Sequence, residues 1–192
     1  MATTAAQTVG TAARQAAPGD LELVRSFLNT RDVEQGTDEL ATPEGLRTWL
    51  TDRGLLDPDV PVTVEERHTT LALREGLRAL ALANNGVAPD RKTLDRLDQA
   101  SGDLTLRVKL SDDELRLVPP DRGVKGALAT LVGIVYDSMH AGTWARLKAC
   151  RNDECLWLFY DHSKNRSGTW CTMAVCGNVM KARAYRRRRK ED

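Results

Sequence analysis

Apolar positions along this chain fall first at helical spacing, then at strand spacing, then at helical spacing again. Leu21 to Thr30 (LELVRSFLNT) is an apolar run that fits a strand or a short helix, and the polar stretch RDVEQGTDEL behind it is a loop. Thr42-Pro43 marks a helix start, with Thr as N-cap and Pro at the first helical position. Leu46, Trp49 and Leu50 form its buried face and Gly54 ends it. A longer helix is predicted from about Val64 to Asn84. There Leu73, Leu77, Leu80 and Asn84 recur three and four apart, and Asn85-Gly86 supplies a left-handed stop. A weaker helix covers about Pro89 to Ala100.

The period then changes to two. Leu104, Leu106, Val108 and Leu110 alternate with Thr105, Arg107 and Lys109, which predicts a half-buried strand. Ser111-Asp112-Asp113 turns the chain, and Glu114 to Val118 returns as the second strand of a hairpin closed by Pro119-Pro120. A helix follows from about Val124 to His140, with Leu128, Leu131, Val135 and Met139 as its apolar stripe. Residues 20–145 thus read as a mostly helical α+β domain holding one hairpin.

The first 19 residues change the picture little. They are rich in Ala and Thr with one charge-bearing residue, Arg14, and lack the apolar core of a signal peptide. They read as a disordered tail on a cytoplasmic protein. No run approaches the 18 apolar residues of a membrane span, so no membrane is expected as partner. Charge changes it more. The net charge of +1 hides a balance of −6 over residues 1–145 and +7 over residues 146–192. Such asymmetry points to a polyanion-binding module at the C-terminus.

All four cysteines lie in the last 43 residues, as Cys150-x4-Cys155-x15-Cys171-x4-Cys176. Two pairs at this spacing suit a closed, tetrahedral four-thiolate site for one structural Zn²⁺, which leaves no open position for a substrate. Two disulfides are disfavoured by the cytoplasmic reading, and four unrelated buried thiols by the clustering. The expected fold is a hairpin between the pairs, with Leu156–Tyr160 as one strand, DHSKNRSG as turn and Thr169-Trp170 as the return. Gly177 would serve a tight backbone path at the knuckle, and Asn178 would cap a helix over 179–190. This is a small treble-clef or zinc-ribbon-like module in which metal supplies most of the folding energy. Lys148, Arg151 and Lys181 are near enough in sequence to offset the −2 formal charge of the site. His162 reads as an exposed turn residue, and His68 and His140 as structural or surface residues.

The string CRNDECLWLFYDHSKNRSGTWCTMAVCGN resembles the CGNR zinc-finger family. The carried residues are Cys150, Cys155, Trp157, Phe159, Asp161, Asn165, Trp170, Cys171, Met173, Cys176, Gly177 and Asn178. Position 179, where the family name has Arg, is Val; Lys181 or Arg183 is the candidate to take its place. The N-terminal part looks like the ABATE domain that precedes this finger, through Phe27-Leu28-Asn29-Thr30, a loop, and Leu46 with Trp49-Leu50. The resemblance implies a stress-induced transcription regulator, with RNA binding as the competing description.

Behind the fourth cysteine, KARAYRRRRK holds seven basic residues in ten. On a helix Arg183, Arg186, Arg187 and Lys190 share a face, while Arg188 and Arg189 point elsewhere. With Lys181 they make a phosphate clamp more than a base reader, so binding should be salt-dependent and modestly specific. Tyr185, Trp157 and Phe159 are available to stack on exposed bases, although filling the small zinc-module core is the simpler role. DNA is the expected partner ahead of RNA, and an adaptor binding another protein is the third reading. No phosphate loop, nucleophile motif or deaminase signature is present, so no enzyme is expected. Asn29, Thr30, Arg31 and Asp32 are the polar cluster to place in a ligand pocket of a sensing N-terminal domain, with a capped turn as the alternative. The ligand, a small molecule or a protein, is not named by the sequence, and a homodimer stays open.

Overall fold

A computed structural model describes residues 15–111 and 114–191. Most of the N-terminal tail and the hairpin tip Asp112-Asp113 lie outside the described residues. Six α-helices occur among these residues: α1 (Leu21–Leu28), α2 (Pro43–Thr51), α3 (Val64–Ala83), α4 (Arg91–Ser101), α5 (Val124–His140) and α6 (Asn178–Glu191). Three separate two-stranded antiparallel hairpins are set between them, with α2, α3 and α4 consecutive: β1 (Arg31–Asp32) with β2 (Thr37–Asp38), β3 (Arg107–Ser111) with β4 (Glu114–Val118), and β5 (Leu147–Ala149) with β6 (Leu158–Tyr160). The fold is α+β and mostly helical, and no helix among the described residues is long and apolar enough to cross a membrane.

The helix starts follow from local chemistry. The Thr42 hydroxyl accepts the Gly45 amide ahead of Pro43, and Thr63 and Glu66 form a reciprocal capping box that starts α3. Gly54 and Gly86, both at positive φ, follow α2 and α3 as the sequence implies. The core is built from α1, α2, α3 and α5: Phe27, Leu28, Leu46, Leu50, Leu73, Leu128 and Leu131 are nearly or fully buried, each contributing about 1.5–3 kcal/mol of transfer free energy. Arg74 of α3, 2% exposed, threads through this core to hold both Asp38 oxygens at 2.7 Å and the Thr30 hydroxyl at 3.0 Å. It thereby fixes the β1–β2 turn to the helices.

Two expectations fail. The β3–β4 hairpin is not half-buried: Val108, Leu110, Leu115 and Leu117 are 44–70% exposed. Among the described residues of this stretch, Leu104, ahead of the strand, packs on the core and Leu106 approaches α5 at Gly133, while Val108, Leu110, Leu115 and Leu117 project. The last residues of the predicted tail are also ordered by contacts, since Gln15 and Ala17 are buried and the Gln15 amide donates to the Cys171 carbonyl at 2.6 Å.

The decisive feature for function is where β5–β6 sits. Leu147, Ala149, Leu158 and Tyr160 belong to the same apolar cluster as Phe27 and Leu73, so the cysteine module and the helices share one core. Ladder bonds fall at Cys150–Trp157 and Arg146–Asp161, two residues either side of the Lys148–Phe159 pair. Ala149–Leu158 and Leu147–Tyr160 are therefore the non-hydrogen-bonded pairs, whose amides and carbonyls face outward. Three asparagines meet them. Asn29 closes on Leu158 from both sides, donating to its carbonyl at 3.0 Å and accepting its amide at 2.8 Å. On the opposite edge Asn84 donates to the Leu147 carbonyl at 2.9 Å and Asn85 to the Ala149 carbonyl at 2.8 Å. The ends of α1 and α3 thus stand in for the missing neighbour strands.

Candidate metal centre and nucleic-acid interface

Cys150 follows β5 directly and Cys155 lies three residues before β6, so the first knuckle is itself the turn of the β5–β6 hairpin. The tight turn is made by the Asn152 carbonyl, which accepts the amides of Cys155 and Leu156 at 2.9 and 3.0 Å. Leu156 takes a positive φ of 52°, and its carbonyl is held at 3.1 Å by Arg78 of α3, which also donates to the Leu28 carbonyl. This corrects the expected pairing of Leu156–Tyr160 with Thr169-Trp170. The return segment instead runs past the knuckle, where the Thr169 carbonyl accepts from the Arg151 amide and from Asn85.

The second pair sits differently. Thr172, not Asn178, is the cap: its hydroxyl accepts the Val175 amide and opens a π-helical turn, Met173–Gly177, that runs straight into α6. Cys176 therefore lies on the helical turn that launches the basic helix. Gly177 is needed for closeness, since a Cβ there would meet Trp170 at 3.1 Å and press into Met173.

The four sulfur atoms lie within 4.8 Å of one another, with Cys171 3.6 Å from both Cys155 and Cys176. A tetrahedral ion with bonds of about 2.3 Å needs sulfurs about 3.8 Å apart, so the residues fit a four-thiolate metal centre. Four sulfurs this close cannot all carry charge alone. Hydrogen bonds from Cys155 and Cys171 pull Cys150 far below the ordinary thiol range, while the same contacts push Cys155 and Cys171 above it. A divalent cation removes that conflict. Cys150, Cys155 and Cys176 are buried, and the Asn152 amide points at the Cys176 sulfur at 3.6 Å, an outer contact that orients it.

Lys148 does not offset the site's charge. It is buried with Asp161, its ammonium 2.8 Å from the carboxylate and also bound to the carbonyls of Arg166 and Gly168. Asp161 in turn accepts the amides of Ser163 and Gly168. Burial opposes its ionisation, yet Lys148 and these donors outweigh it and hold the carboxyl at about 2. The DHSKNRSG segment is thus a loop wound round one buried ion pair. A Cβ at Gly168 would lie 2.9 Å from the Asp161 carboxylate, which explains glycine there. His162 is exposed as expected, reaching back to the Ala16 carbonyl at 2.9 Å.

Among the basic residues the structure divides the expected clamp. Arg183 is turned inward on the knuckle, ion-paired with Glu154 and Asp153 and bonded to Asn152 at 3.4 Å. It braces the knuckle next to exposed Val179. Lys181, Arg186, Arg187, Arg188 and Arg189 are exposed along α6; the Lys190 side chain lies outside the described residues. Tyr185 is 56% exposed, with Arg189 6.0 Å from its ring. Phe159 is buried and Trp157 half-buried, which removes Phe159 from any stacking role.

Of the expected N-terminal pocket residues, Asp32 lines a cavity, while the other three are engaged in the fold. Asn29 is bound to Leu158, Thr30 is 2% exposed beneath Arg74, and Arg31 pairs with Glu75 at 3.6 Å. The cavity that Asp32 lines lies between the β1–β2 turn and the finger. Sequence reasoning also missed Asn84 and Asn85 as anchors, whose only sequence signal was a helix end.

Comparison with known proteins gives two matches. A family model described as "Putative stress-induced transcription regulator" (ABATE) matches residues 21–139, and one described as "CGNR zinc finger" matches residues 146–189. No curated protein matches the chain.

Proposed function

The chain belongs to the ABATE family, with a CGNR zinc finger behind that domain, and on this premise we propose a DNA-binding transcription regulator. One observation carries the reading: a helix bearing four consecutive exposed arginines, Arg186–Arg189, starts on the metal-binding turn and is pinned there by Arg183. The ion, read as one structural Zn²⁺, supplies the cross-link that holds the turn to the knuckle. The protein's own residues do the rest. Arg183 fixes the helix, and the arginines beyond it, with Lys181, neutralise phosphates. Each phosphate neutralised on duplex DNA adds about −0.9 to the slope of log affinity against log salt. In keeping with this role we place the protein in the cytoplasm, with no chemistry performed on the metal.

A second reading, RNA or single-stranded DNA, is favoured by exposed Tyr185, which can stack on an unpaired base beside Arg189. Electrophoretic shifts on duplex DNA, single-stranded DNA and RNA at two salt concentrations rank the two. Tightest binding to duplex with a steep salt slope supports the proposal. Preference for single strands, lost in Tyr185→Ala, transfers it to the second reading. No shift on any nucleic acid at low salt sinks both and leaves a protein-binding adaptor.

A further inference from the structure

A cleft of about 350 Å³ opens between the β1–β2 turn and the finger. That is within the size range of small-molecule sites and far more than one metal ion occupies. One wall carries Asp32 and Glu34; the other carries Trp157 and Val175, and Cys155, Cys171 and Cys176 also line it. Its unpaired charges among the described residues have one sign. Neither Asp32 nor Glu34 has an ion-pair partner among the described residues: Asp32 accepts only the Gln35 amide, at 2.9 Å, and Glu34 is exposed. Arg25, the one cation on the lining among the described residues, is already matched, holding Glu22 at 2.5 Å and the Leu158 carbonyl at 3.3 Å. Four thiolates on a divalent ion add a formal −2 alongside. An indole and a valine then give the cleft an apolar surface next to two carboxylates with no ion-pair partner among the described residues.

We propose that this cleft is a ligand site for a small organic cation with an apolar or aromatic body. The ammonium or guanidinium end sits at Asp32 and Glu34, and the body lies against Trp157 and Val175, where an aromatic face also attracts positive charge. A ligand so placed touches both the helical domain's turn and the turn Met173–Gly177 that launches α6. The sensing role of the N-terminal domain thereby rests on Asp32 of the expected cluster and on Glu34, and is shared with the finger. The inference deepens the regulator reading but does not need nucleic-acid binding to be correct.

The test uses the full-length, zinc-loaded protein and benzyltrimethylammonium as the probe. Benzyl alcohol serves as the neutral and phenylacetate as the anionic counterpart. Binding is read by heteronuclear NMR titration, and nucleic-acid binding is measured separately on the same samples. The expected result is saturable binding of the cation alone, with shifts at Asp32–Gln35, Trp157 and Val175. Affinity should fall at least tenfold in Asp32→Asn/Glu34→Gln, in which the carboxamide oxygen at position 32 still accepts the Gln35 amide and the fold is kept. Trp157→Leu should weaken binding while leaving the carboxylate end intact. Absence of saturation, equal binding of phenylacetate, or unchanged affinity in the double carboxamide variant overturns the proposal. Cation binding without any nucleic-acid shift would sustain the cleft and refute only the function proposed above.

Discussion

Replacing Asn29 by Ala tests the claim that helix ends substitute for the missing neighbour strands. The Leu158 amide faces away from β5 and has Asn29 as its acceptor, at 2.8 Å in a buried setting. The Leu158 carbonyl would keep a weaker partner, Arg25 at 3.3 Å. The variant therefore leaves one buried donor unpaired, which costs about 1–3 kcal/mol, and removes a second bond of about 1 kcal/mol. The total is about 2–4 kcal/mol, or a Tm decrease on the order of 10 °C for a chain of this size. Urea unfolding of the zinc-loaded protein, followed by circular dichroism, reads the loss. Asn165→Ala, in an exposed stretch of the 161–168 loop, is the control and should stay within about 0.5 kcal/mol. If Asn29→Ala is as mild as that control, the edge-closing argument is wrong.

Four further outcomes are expected. Asp161, held at about 2 against an ordinary 3.8, stabilises the fold above pH 4 and loses that contribution as pH falls through 2; by linkage Asp161→Asn should cost about 2 kcal/mol at pH 7, the gap to the parent closing in acid titrations. Arg183→Ala should weaken nucleic-acid binding with little change in salt slope, because this arginine grips Glu154; Arg187→Ala should flatten the slope by roughly one phosphate's share. Stripping the metal with a strong chelator should remove hydrogen-exchange protection at the C-terminal ends of α1 and α3 as well as in residues 146–189; protection lost in the finger alone would contradict the shared core. Leu110→Ser and Leu115→Ser should each change stability by less than about 0.5 kcal/mol in the same urea assay, since both side chains are at least two-thirds exposed.

The helices were legible because their signals are local. Thr42-Pro43, the recurrence of Leu73 and Leu77, and Asn85-Gly86 each act within a few residues of where they appear. The four-sulfur site was legible for a related reason, since two short spacings already bring each pair to one side of an ion. What failed was pairing at longer range. Joining Leu158–Tyr160 to the next extended run in sequence is the cheapest guess, yet the backbone pairs it backwards, across the knuckle, to Leu147–Ala149. Alternation over 104–118 was equally ambiguous: it shows that a ribbon has an apolar face, and says nothing about what covers that face. Asn29 is ambiguous in sequence because a polar residue in an apolar run suits a pocket as well as a bare strand edge. Arg183 reads like its neighbours in sequence because charge alone does not show that Glu154 lies within reach.

The sharing of Leu147, Ala149, Leu158 and Tyr160 between the helices and the finger bears on how such a chain can be recombined. A cut at residue 146 looks harmless in sequence, falling just after a short turn. It would tear an apolar seam, leaving one fragment with an unroofed α1–α3 groove and the other with a sticky three-residue ribbon. Duplication or grafting of this finger onto a foreign partner would therefore succeed only where the recipient offers its own asparagine-edged groove.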